Sequence, residues 1–136
     1  MIKVKFKAWQ KYHKEMLYVV FMRFDEAGIK SAVVSNSKGR QRSYYKDELE
    51  ALVFRQFTGL KDKNGVKIYD GDIVKISDNY DEYGLFAGEI REVYFAFGAF
   101  RLKPIRKENA IGNNFKDNFE FEVIGNIFEN PELLRE

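Results

Sequence analysis

Residues 2–9, IKVKFKAW, alternate without a break: Ile2, Val4, Phe6 and Ala8 form one set, Lys3, Lys5 and Lys7 the other. A period of two sends successive side chains to opposite faces of a strand, and it cannot lay an apolar stripe along a helix. The same signature recurs along the chain. MLYVVFMRF, IKSAVVS, RQRSYY, DIVKIS, LFAGEIREVYFA, AFRLKPI and FEFEVIGNIF are short runs rich in aromatic and β-branched residues, separated by polar or glycine-containing turns. KDELEALVFRQF predicts a turn or short helix that enters a strand near Leu52, and NPELL predicts a terminal helical turn with Asn130 as its cap and Pro131 as its first residue.

Seven to nine short strands with little helix predict an all-β, β-dominated fold of antiparallel meanders. Parallel α/β folds are excluded, because they need helical crossovers between strands. The length of 136 residues suits one domain, with sub-lobes over 1–57, a basic β-meander, and 58–136. With 45% hydrophobic residues the chain has the material for a packed core.

Several chemistries are excluded by composition. Without cysteine there are no disulfides, thiolate nucleophiles or Cys-based zinc and iron–sulfur sites. The single histidine, His13, sits between Tyr12 and Lys14 in a polar loop, which is a poor place for the base of a catalytic triad. No apolar run is long enough to cross a membrane, and the N-terminus lacks the apolar core of a signal peptide, so a cytoplasmic protein is expected.

Residues 57–75, FTGLKDKNGVKIYDGDIVK, concentrate oxygen donors and glycines. Calcium binding fails on spacing: counting from Asp62, the sixth position is Lys67 where glycine is needed and the twelfth is Ile73 where a glutamate is needed. Phosphate-loop patterns are absent too. The residues instead suit tight turns: a type I′ hairpin at Asn64-Gly65, bends at Gly59 and Gly71, and Asp70 and Asp72 bonded to nearby backbone. On that reading Gly65→Val costs stability, and Asp62→Asn changes little unless a metal is bound.

That stretch, together with KFKAW near the start and EVIGNIFENPELL near the end, resembles the YopX family of phage and prophage proteins. The resemblance implies a β-rich fold whose C-terminal half is SH3-like or barrel-like, and a setting in the cytoplasm of a bacterial host cell. It carries over no catalytic residue, cofactor or metal, and no motif places residues 20–50.

Charge is unevenly distributed. Residues 1–55 hold twelve Lys+Arg against six Asp+Glu, or +6, and residues 56–136 hold eleven against fifteen, or −4. With 22 aromatic residues (13 Phe, 8 Tyr, 1 Trp) and no catalytic set, the first functional reading is a non-enzymatic binding domain that forms a homo-oligomer or meets a protein partner. The alternative is nucleic-acid binding. Lys3, Lys5 and Lys7 would stand about 7 Å apart on one strand face, with Trp9, Tyr12, Tyr44 and Tyr45 for stacking and Arg40 and Arg42 adding charge. A carboxylate-dependent hydrolase using Asp70, Asp72 or the acidic loop at Asp78, Asp81 and Glu82 ranks third.

Overall fold

The computed structural model describes residues 5–103, 113–114 and 119–135. Lys3 and most of the polar stretch 107–118 lie outside the described residues. The chain divides into two compact units, Met1–Gln56 and Phe57–Glu136. Both are built from antiparallel strands, and the described helical segments are short 3₁₀ turns.

In the first unit β1 (Phe6–Gln10), β2 (Glu15–Asp25), β3 (Gly28–Ser35) and β4 (Gln41–Tyr45) form a meander. The 3₁₀ turn Lys46–Ala51 then leads into β5 (Leu52–Lys61), whose first half pairs with β1, so the order is β4-β3-β2-β1-β5. The turn forms here because the Tyr45 N–H donates to the Glu48 carboxylate at 3.1 Å, the return contact of a capping box. Register decides what is buried. Ala8 faces Leu17, Val19 faces Val34, and Ala32 faces Tyr44. These inner positions pack with Ala51 and Leu52 into one core. A bulge between Val19 and Phe21 shifts the ladder midway along β2.

The second unit starts in the far half of β5, which pairs with β6 (Lys67–Tyr69). The main sheet has the order β10-β9-β8-β7-β11. It comprises β7 (Asp72–Ile76), β8 (Ile90–Ala96), β9 (Ala99–Lys103) and β11 (Phe121–Asn126), with the two-residue β10 (Asn113–Asn114) outside β9. Ile68, Val74, Ile76, Val93, Leu102 and Phe121 are central to its core. The barrel expectation is not met: the sheet is open, and no closed barrel is found among the described residues. Its end strands β10 and β11 pair on one side only, and β6 pairs with β5.

Two local expectations also change. The run LFAGEIREVYFA becomes a strand only from Ile90, because the Glu89 carboxylate accepts the Phe86 N–H at 2.7 Å and Gly88 takes φ 88°, folding residues 86–89 into a turn. Asn130 precedes the terminal turn Pro131–Leu134 but does not cap it; its carboxamide oxygen accepts from the Asn126 N–H at 3.2 Å instead. That inward swing uses the space left by Gly125, where a Cβ would lie 2.6 Å from the same oxygen.

Candidate functional site

The turn-rich stretch is held together by one carboxylate. Asp62 is buried. Its Oδ1 accepts the N–H groups of Asn64 at 2.8 Å and Val66 at 2.9 Å, and its Oδ2 accepts that of Val123 on β11 at 2.9 Å. With the Gly65 N–H donating to the Asp62 carbonyl, the turn runs Asp62–Gly65. Gly65 takes φ 80°, but Asn64 is not among the residues at positive φ. The turn is therefore not type I′. It has the form of a turn followed by a left-handed glycine, and aspartate at its first position supplies the side-chain acceptor.

The neighbouring turn residues are placed in the same way. Asp72 is buried and accepts the Tyr69 N–H at 2.7 Å, and Asp70 is half-buried. Gly71 takes φ 88°, and its N–H donates to Val93 while its carbonyl accepts from Ile127. Gly59 takes φ 90° where the β5–β6 register shifts, and there the Thr58 hydroxyl donates to the Ile68 carbonyl at 2.8 Å. Oxygens occupied by backbone donors are poorly placed to hold a cation. Among the described residues no group of three or more His, Asp or Glu side chains could hold a metal.

The pleat splits the basic and aromatic residues of the N-terminal half between two faces. Lys7 faces Tyr18 on β2 and Arg55 on β5, and Tyr18 faces Ser35, so Lys7 and Trp9 belong to the outer face of this sheet, with Lys5 exposed just before β1. Lys7 Nζ lies 5.8 Å from the centre of the Tyr18 ring, a cation–π distance. Arg42 faces Val34 and Tyr44 faces Ala32, so both belong to the inner face. The residues grouped in sequence as one nucleic-acid footprint do not form one surface.

The inner-face group lines a cleft of about 390 Å³ with Gln10, His13, Glu15 and Arg40 on its walls and Leu17 and Val34 on its floor. Its polar groups hold one another. The Gln10 Nε2 donates to the Tyr44 hydroxyl at 3.3 Å, and its Oε1 accepts the N–H groups of Tyr12 and His13. The Arg42 guanidinium lies 4.5 Å from the Tyr44 ring centre and 3.8 Å from the Glu48 carboxylate. Asn36 accepts the Lys38 and Arg40 N–H groups, shaping the loop at the rim.

The outer face carries residues that sequence reasoning missed. Tyr18, Val20 and Phe21 are 54%, 53% and 54% exposed, side by side along β2. In sequence they were indistinguishable from core, because MLYVVFMRF is apolar at nearly every position and the bulge that reassigns its faces leaves no composition signal. In the second unit the acidic loop is pinned by Tyr80, whose ring lies 4.6 Å from that of Phe119 and whose hydroxyl accepts the Glu120 N–H at 2.7 Å. Asp78, Asp81, Glu82 and Phe86 are exposed on that loop. Glu92 on β8 has its carboxyl held above its usual range: burial raises it, the Lys103 charge opposes this, and the Asp70 charge adds to it.

A family model described as YopX protein matches residues 5–135. The chain belongs to the YopX family. Among solved structures, it is similar to protein EF1440 from Enterococcus faecalis, at 32% identity and a TM-score of 0.64, covering 99% of this chain and 100% of that one. The YopX protein of Bacillus subtilis shares the fold at 20% identity and a TM-score of 0.54, covering 95% of this chain and 96% of that one. No curated protein matches the chain. The family match brings a β-domain of uncharacterised function. No helix among the described residues is long and apolar enough to cross a membrane.

Proposed function

We propose that this YopX-family chain is a non-enzymatic binding module, of phage or prophage origin and working in the bacterial cytoplasm, that pairs with a second copy of itself. The observation that carries this reading is the exposure of Tyr18, Val20 and Phe21 along the outer face of β2. Large apolar side chains grouped on one strand face favour burial against a partner. Lys7 lies over the Tyr18 ring and Arg23 follows Phe21 two positions along β2, and the N-terminal half is positive overall.

Charge selects the partner surface. Two such faces stacked on each other would bring together like charges, whereas the acidic loop offers Asp78, Asp81 and Glu82 beside the exposed rings of Tyr83 and Phe86. The basic face of one copy therefore meets the acidic loop of the other.

Light scattering over a concentration series tests it. A dimer is expected at low salt. Phe21→Lys, and separately the Lys5→Glu/Lys7→Glu pair, should shift the midpoint of dissociation at least tenfold, about 1.4 kcal/mol. Adding Asp81→Lys and Glu82→Lys to the lysine pair should restore it. A wild-type protein that stays monomeric at every concentration and salt would overturn the proposal.

A further inference from the structure

The β8–β9 hairpin turns through two residues, Phe97 and Gly98, between the paired Ala96 and Ala99. Both have positive φ, 52° and 77°. Such turns favour Asn or Asp at the first position, because a bulky side chain in the left-handed region is strained. Phe97 takes this position while leaving its ring 77% exposed, so hydrophobic burial does not offset the strain. Backbone strain held without a packing return points to function.

The residues around Phe97 form a pattern. Val93 and Leu102 are fully buried on the inner face of the hairpin, so the Tyr94–Arg101 and Glu92–Lys103 pairs stand on the outer face. Arg101 is held in place by its Nε, which donates to the Ala96 carbonyl at 2.9 Å, and its guanidinium lies 5.7 Å from the Phe97 ring centre. Lys103 Nζ lies 5.9 Å from the Tyr94 ring centre. From the tip inward the outer face therefore reads ring, cation, ring, cation, and ends at Glu92.

We propose that this face binds single-stranded nucleic acid, with a base stacked on Phe97 and phosphates held by Arg101 and Lys103. Alternation of aromatic rings with cations is what such a strand recognises: the rings meet bases of any sequence, and the cations meet the backbone between them. A purely apolar protein surface has no use for the two cations, whereas a phosphate backbone complements both. The face belongs to the second unit, and the β2 surface proposed for pairing to the first.

Fluorescence anisotropy with labelled single-stranded DNA and RNA oligonucleotides at low salt tests the proposal. Both strands should be retained, and a duplex of the same sequence should bind more weakly. Phe97→Asn keeps the turn and removes the ring, so the variant should fold normally and bind roughly tenfold or more weakly. Arg101→Gln should weaken binding and lower the slope of log affinity against log salt by about one. Lys5→Glu/Lys7→Glu should leave binding in place. Three results would overturn the proposal: no retention of either strand by the wild type, unchanged binding by both hairpin variants, or retention only on anionic phosphatidylglycerol vesicles.

Discussion

Asp62 shows how much one side chain can decide. Its carboxylate ends three backbone N–H groups from two separate stretches of chain, tying the turn Asp62–Gly65 to β11. Asn at this position keeps one oxygen but turns an N–H₂ group toward a donor, so Asp62→Asn should cost about 2 kcal/mol, read as a lowered urea midpoint. This reverses the expectation from sequence that Asp62→Asn changes little, because nothing in the sequence shows the contact with Val123. Gly65→Val is simpler. A Cβ at Gly65 meets nothing within 4 Å, so its cost is backbone strain alone at φ 80°. About 1–3 kcal/mol is expected, seen as a lowered Tm. Glu92 sets a pH dependence. Its raised carboxyl favours the protonated form in the folded chain, so its contribution to stability is present below the unfolded value and is lost as pH rises through the folded one. Glu92→Gln should therefore raise Tm relative to the wild type at neutral pH, with the gap closing near about pH 4.

At the scale of elements, strands were legible where alternation met punctuation. KDELEALVFRQF resolves into a 3₁₀ turn and a strand that starts at Leu52, as its mixed periodicity predicts. The run 85–96 was read too long because its first five residues are as apolar as a strand, and the side-chain contact that folds them into a turn is not a property of composition. The β8–β9 hairpin gives the sharpest element-level prediction. Asn tolerates the left-handed turn position that Phe97 strains to occupy, so Phe97→Asn should be as stable as the wild type or more stable by up to about 1 kcal/mol, read as an equal or higher Tm. Loss of stability in that variant would show that the exposed ring serves the fold.

At the scale of the whole molecule, the opposed charges of the two halves are the property to test. Raising salt shortens the range of charge attraction, to about 3 Å at 1 M, so an association built on the basic face and the acidic loop should weaken steadily with ionic strength. A self-association that strengthens with salt would instead assign the pairing to the apolar residues of β2 alone. The two outcomes separate in a sedimentation series at low and high salt.

The sequence by itself determined the β class, the positions of most strands and turns, the family, and the exclusion of cysteine chemistry. These follow from local rules: period-two alternation, glycine at positive φ, and the presence or absence of residue types. Only the tertiary structure decided which strands pair, where the register slips, and therefore which side chains share a face. Lys7 and Tyr44 looked like parts of one surface until the ladders β1-β2-β3-β4 placed them on opposite sides of the sheet. The strand MLYVVFMRF did not show which of its side chains face outward: Tyr18 does so by its pairing with Lys7 and Ser35, and Phe21 because a bulge after Val19 shifts the ladder. A strand's own alternation separates its two faces, but which face meets the core depends on neighbours far away in sequence, and a single extra residue in a ladder reverses the answer.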